Sequence, residues 1–249
     1  MRGAFEFADS REGLVYHARL SEQAERFDDM AAFMRRVAEL RTELTVEERN
    51  LFSVAFKNSI GSRRSCWRVL NTESTRVAHQ RTDLNKAKFL ERYKDAVEIE
   101  LTDLCYEVLD ILDDYLLPHA KTSESKVFYY KLKGDYCRYL SEIKQNPGQR
   151  KEAAEGALDA YREASELGSR TLAPTDPIRL GLALNFAVFF YEILDSPERA
   201  CSLAKLAFDE AVVELNTLSE DAYKDSTLLM QILRDNLTLW KREIHFEDE

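Results

Sequence analysis

The chain has 249 residues, 45% of them hydrophobic and 32% charged, with a formal net charge of −10 at pH 7. That apolar content supplies a sizeable core and excludes disorder throughout, while the acidic total argues against nucleic-acid binding, which needs a basic face. Eight glycines and five prolines are too few to turn an all-β chain of this length, and the abundance of Leu, Ala, Glu, Lys and Arg predicts an all-α fold.

Residues 1–10 read as a loosely ordered leader. Apolar positions then recur at helical spacing through Tyr16, Leu20, Ala24, Phe27, Met30, Met34 and Val37, which predicts two antiparallel helices. Thr45-Val46-Glu47-Glu48 has the form of a capping box, so a long helix is expected from there to about Thr72. The polar stretch 71–85 reads as a loop, followed by a helix from Lys86 to Pro118. Ser123 opens the next helix and Asn146-Pro147-Gly148 ends it; Lys151 to about Leu167 forms another. Asp176 before Pro177 sets a cap ahead of a first-turn proline, and Ser196-Pro197 repeats that device. The last two helices are expected over roughly 197–216 and 220–241, leaving a charged tail, 241–249, read as poorly ordered. These elements amount to nine helices in a single domain spanning 1–249, with no internal repeat of solenoid length.

Cys66, Cys105, Cys137 and Cys201 lie far apart with no C-x-x-C pair, and the N-terminus has no apolar signal run, which predicts reduced thiols and a cytoplasmic location. No stretch approaches the ~18 consecutive apolar residues that span a bilayer, so no membrane partner is expected. His17, His79, His119 and His245 are scattered, without Cys, Ser or carboxylate partners at ligand or triad spacing. No phosphate loop of the Walker type occurs, and Gly181 sits inside a predicted helix, where close helix contact explains it. The expectation is a protein with no catalytic residues, metal or cofactor.

Two helices each carry a basic pair. Lys57 and Arg64 share one face of the helix opened by Thr45, and Lys131, Asp135 and Arg138, with Tyr139 beside the last, share a face of the helix opened by Ser123. Such cations are either a solvated face or a shared anion site. The predicted helix 177–195 places Gly181, Leu184, Asn185, Val188 and Glu192 on one stripe, and the last helix carries Leu228, Leu229, Ile232, Asn236 and Trp240. Asn185 and Asn236 among leucines either bond to neighbouring helices in a core or clamp the backbone of a bound segment, since an unpartnered buried amide costs about 1–3 kcal/mol.

Arg49-Asn50-Leu51-Phe52-Ser53-Val54-Ala55-Phe56-Lys57-Asn58, followed by Gly61-Ser62-Arg63-Arg64-Ser65-Cys66-Trp67-Arg68, resembles the signature of the 14-3-3 family. A second signature, Tyr223-Lys224-Asp225-Ser226-Thr227-Leu228-Leu229-Met230-Gln231-Ile232-Leu233-Arg234-Asp235-Asn236-Leu237-Thr238-Leu239-Trp240, is similar almost residue for residue, and the resemblance covers about Leu20 to Trp240.

The resemblance implies nine antiparallel helices forming a cup with an amphipathic groove, and two cups dimerising through the N-terminal helices. It implies an adaptor for phosphoserine- or phosphothreonine-containing proteins, acting as a homodimer or as a heterodimer with related isoforms. Lys57, Arg64 and Arg138 would ring the phosphate with the Tyr139 hydroxyl, Lys131 would line the groove, Asp135 would hold Arg138, and Glu192 would steer a further groove group. Asn185 and Asn236 would bond the ligand main chain beside an apolar wall of Leu184, Val188, Leu228, Leu229 and Ile232. Trp240 either closes that wall or belongs to the core. The dimer would use Leu20, Phe27 and Tyr93, with Arg26 matched to Glu100; Asp29 would seek a lysine, but the matching position is Ala96. Cys66 stands where some members carry a phosphorylatable serine. The competing reading is a helical-repeat scaffold that takes unphosphorylated segments in the same groove.

Overall fold

A computed structural model of the protein describes residues 9–79, 84–215 and 218–247. Those residues form nine α-helices and no strand, together with a short π-helix and a 3-10 turn. The all-α expectation therefore holds. The chain divides into two compact units, Met1–Ala120 and Lys121–Glu249.

The first unit holds α1 (Arg11–Gln23), α2 (Phe27–Ala38), α3 (Val46–His79) and α4 (Leu84–Ile111). Short connections fold α1, α2 and α3 back on one another around buried Leu14, Ala18, Met30, Met34, Phe52 and Phe56, and α4 packs along α3. The capping box forms as its sequence requires: the Glu48 N–H donates to Thr45 Oγ1 at 3.2 Å, and the Thr45 N–H donates to Glu48 Oε2 at 2.8 Å. Arg11 of α1 then donates to the same carboxylate through Nε at 2.7 Å and Nη2 at 2.6 Å. One buried glutamate thus closes the start of α3 and ties α1 to it. Burial pushes the Glu48 carboxyl up, but the bonds from Arg11 and Thr45 outweigh burial and hold it below the usual carboxylate range.

Several boundaries differ from the sequence reading. The stretch expected as a loop from residue 71 continues α3 to His79. Its Thr72 and Thr75 hydroxyls donate back to the carbonyls of Arg68 and Asn71, and Lys94 of α4 donates to Asn71 Oδ1 at 2.8 Å. Residues without an apolar period can prolong a helix already nucleated. Pro118 does not simply stop α4: the helix widens into a π turn at Leu112–Leu116 and tightens to a 3-10 turn at Leu117–His119, which accommodates the missing proline N–H. The leader residues 1–8 lie outside the described residues.

The second unit holds α5 (Ser123–Ile143), α6 (Pro147–Thr171), α7 (Pro177–Glu192), α8 (Pro197–Glu214) and α9 (Glu220–Glu247). Asn146 does not only end α5; its Oδ1 accepts from the Gly148 and Gln149 N–H groups, so α6 starts at Pro147 rather than Lys151. Asp176 caps α7 as expected, accepting from the Ile178 N–H at 2.8 Å. Ser196 does not repeat the device, because its hydroxyl donates backwards to the Leu194 carbonyl. The final helix runs to Glu247, beyond the expected end at 241. Leu180, Ala187, Ala200, Ala204, Met230, Leu233 and Trp240 form the core that joins α7, α8 and α9. Among the described residues no helix is long and apolar enough to cross a membrane.

Replacing Glu48 with Ala removes both a cap and the partner of Arg11, and is expected to lower stability by about 2–3 kcal/mol in urea denaturation at pH 7. Because the folded carboxyl lies below its ordinary value, the stabilisation is complete above the unfolded pKa and fades as pH falls through the lowered folded one. The difference between the two proteins should therefore shrink in acid; a difference independent of pH would contradict the ionic role.

Candidate functional site

The unbroken turns of α3 carry Lys57 and Arg64 on one face, the lysine exposed and the arginine half-buried. Gly61 lies between them, and a Cβ there would meet nothing within 4 Å. These two cations belong to the first unit.

In the second unit, α5 is opened by Thr122, whose hydroxyl oxygen accepts from the Ser125 N–H at 3.1 Å. The following turns bring Lys131, Asp135 and Arg138 together. Asp135 is only 4% exposed. Its Oδ2 accepts from Lys131 Nζ at 2.8 Å, and its Oδ1 accepts from the Tyr161 hydroxyl at 2.6 Å and from Asn185 Nδ2 at 2.7 Å. Arg138, also buried, donates from Nε to the Tyr161 oxygen at 3.2 Å, with Nη2 lying 3.7 Å from Asp135 Oδ1. Its guanidinium stacks over the ring of the adjacent Tyr139, 4.7 Å from the centroid.

Burial pushes the Asp135 carboxyl up, but Lys131 and Arg138 outweigh it and the group lies below the usual carboxylate range. Burial likewise disfavours charge on Arg138, yet the oxygens of Tyr161 and Asp135 raise its pKa further above its already high ordinary value. The phenol of Tyr161 is raised well above its ordinary value by burial and by Asp135, so it stays a hydroxyl and can donate. The cluster holds two cations and one anion, an excess of positive charge in an acidic chain.

Asn185 is thus explained in part by its bond to Asp135 across α5 and α7, one of the two readings its position allowed. Gly181 lies one turn earlier on α7, where a Cβ would sit 3.6 Å from Lys131 Cε, an ordinary contact. Leu184, Val188 and Leu229 pack half-buried against the core, while Leu228 and Ile232 remain exposed at 64% and 38%. Asn236 is half-buried and Glu192 exposed. Trp240 is 3% exposed and stacks on Tyr191 with ring centroids 5.0 Å apart, so of its two readings the structure selects the core.

Tyr161 was not among the residues singled out by sequence. It lies on α6, 26 residues from Asp135, and its ring packs where a Cβ on Gly134 would sit, 2.6 Å from two ring carbons. A glycine in mid-helix before Asp135 was the available signal.

Of the expected dimer residues, Leu20 and Tyr93 are exposed at 43% and 48% and Phe27 is half-buried. Within the chain Arg26 pairs with Asp29, and Glu100 with Arg63 at 3.1 Å, so an Arg26–Glu100 bridge between chains would exchange these partners. His17 Nδ1 lies 2.7 Å from the Gly13 carbonyl and its ring stacks on Phe33, while His119 Nδ1 lies 2.7 Å from the Tyr115 carbonyl, both structural contacts. Among the described residues no group of three or more His, Cys, Asp or Glu side chains is placed to hold a metal.

Each unit thus carries a basic pair on one helix, and the pair in the second unit is braced by a buried carboxylate. The model of the 14-3-3 protein family matches residues 17–241. The chain is 54% identical over 238 residues to 14-3-3 protein epsilon of Drosophila melanogaster, covering 96% of this chain and 90% of that protein. It is 55% identical over 234 residues to the 14-3-3-like protein GF14 iota of Arabidopsis thaliana, covering 94% and 87%. With 14-3-3 protein beta/alpha-A of Xenopus laevis it shares 56% identity over 237 residues, covering 94% and 95%. The chain belongs to the 14-3-3 family.

Two glycines should respond oppositely to alanine. Gly134→Ala drives a methyl into the fully buried Tyr161 ring and is expected to cost about 1–3 kcal/mol. Gly61→Ala adds a methyl to open space within a helix and should stabilise by about 0.5–1 kcal/mol. Thermal unfolding of both variants checks this, and equal effects would contradict the packing around Tyr161.

Proposed function

We propose that the protein is a phosphoserine- and phosphothreonine-dependent adaptor in which Lys57, Arg64, Arg138 and Tyr139 serve one phosphate. Family membership supports the adaptor role, and the observation that carries the residue assignment is the bracing of Arg138. A guanidinium fixed along its Nε edge by Tyr161 and balanced by Asp135 turns its remaining N–H groups to a ligand without reorganisation. A phosphomonoester carries about −1.5 to −2 charges at pH 7 and three acceptor oxygens, which forked donors match better than a carboxylate would.

Asn185 and Asn236 bond the main chain of the bound segment, and Leu184, Val188, Leu228, Leu229 and Ile232 supply the apolar wall, with Glu192 at its edge. Asn185 spends one N–H on Asp135, which leaves its carbonyl and second N–H to serve the ligand. Lys131 lines the same groove, its amine on Asp135. Catalysis plays no part, and the partners are phosphorylated proteins in the cytoplasm. Two copies join through Leu20, Phe27 and Tyr93, with Arg26 and Glu100 exchanging their partners across the interface; related isoforms can replace one copy.

Arg64→Ala and Arg138→Ala should each weaken phosphopeptide binding by about 30-fold or more in calorimetry, with Lys57→Ala weaker in effect. Helicity should remain unchanged. Wild-type affinity in folded Arg138→Ala would overturn the assignment.

A further inference from the structure

We propose that Tyr161 is a positioning residue for phosphate recognition, setting the direction of the Arg138 guanidinium from behind without itself reaching the ligand; this rests on the phosphate-binding role of Arg138. The ring is fully buried and stacks on Phe186 at 5.2 Å between centroids, with Phe189 alongside at 5.7 Å. Gly134 removes the side chain that would otherwise displace it. The phenol oxygen is therefore placed by packing on three sides, before any ligand arrives.

That oxygen does two things at once. It accepts from Arg138 Nε at 3.2 Å and donates to Asp135 Oδ1 at 2.6 Å. Donation to a carboxylate polarises the hydroxyl, which makes its oxygen a better acceptor for the guanidinium. Nη2 lies 3.7 Å from Asp135 Oδ1, too long for a hydrogen bond, so beside the stack on the Tyr139 ring the Tyr161 contact is the hydrogen bond that sets the direction of the fork. Bidentate recognition of a phosphate depends on that plane, whereas simple attraction between charges does not. Removing the hydroxyl leaves the charge of Arg138 in place and frees its orientation.

The test compares the wild type with Tyr161→Phe, which keeps the ring, using one peptide in phosphorylated and unphosphorylated forms. Phosphopeptide affinity should fall about fivefold to tenfold, with little change for the unphosphorylated form. A merely structural role would lower both together. In an Arg138→Lys background, which has no Nε donor on a planar fork, the same substitution should cost much less. A carbon-13 label at the Tyr161 phenolic carbon reads the contact without substitution, and its resonance should move with the phosphopeptide only. If Arg138→Ala itself leaves affinity unchanged, the phosphate assignment fails. If Arg138→Ala abolishes binding while Tyr161→Phe binds normally and the labelled resonance stays still, only the role of Tyr161 is overturned.

Discussion

The carboxylate of Asp135 is taken out of water and remains charged, and much of the second unit is arranged around that fact. An ionised carboxylate without partners in a protein interior is costly enough to protonate instead. Here a lysine and an arginine of its own helix, a phenol from α6 and an amide from α7 meet it. Three helices are tied at one point, and each donor loses its freedom to wander. Replacing the cluster with apolar groups could give an equally stable core; what the ions add is a cation held in one orientation.

A similar device operates in the first unit with a different purpose. Glu48 is also buried and also meets an arginine, but Arg11 uses two nitrogens on it and the Thr45 N–H occupies the same carboxylate. Arg11 is thereby committed to holding α1 on α3. Arg138 meets its carboxylate only at 3.7 Å, and its shorter contact is to a neutral phenol. The difference in geometry separates an arginine used to tie helices from the one proposed to meet an outside anion. It also shows how a chain of net charge −10 can hold a cationic site: the excess is local and is set by neighbours, not by the total.

Local chemistry was legible in the sequence at several helix starts, where cause and effect lie within a turn or two, although the same reading failed at Ser196, whose hydroxyl turns back to Leu194. The reciprocal bonds of Thr45 and Glu48 and the cap at Asp176 follow from residue type and spacing alone. Asn146-Pro147 was legible as a break but not as a start, because the same dipeptide that ends one helix caps the next. Residues 71–79 carry no apolar period, so nothing in the pattern separates a polar helix from a loop, and the Lys94–Asn71 contact that supports the helix comes from another element. Lys57, Arg64 and Arg138 were visible as cations on helix faces, yet only the resemblance to the 14-3-3 family assigned them one ligand. Gly134 signalled a close approach but could not name Tyr161, whose role arises from packing across 26 residues, and the amide of Asn185 found a carboxylate 50 residues away.

Phosphate recognition by this chain turns on whether Arg138 is held before the ligand arrives and then meets a phosphate. Nitrogen-15 labelling of the arginine side chains, with a peptide titrated in phosphorylated and unphosphorylated forms, reads both halves in one spectrum. The Arg138 Nε–H should be protected from exchange in the free protein, because Tyr161 accepts it in a buried setting. It should shift with the phosphorylated peptide and stay in place with the other. A rapidly exchanging Arg138 signal in the free protein, or the same shift with both peptides, would contradict the account.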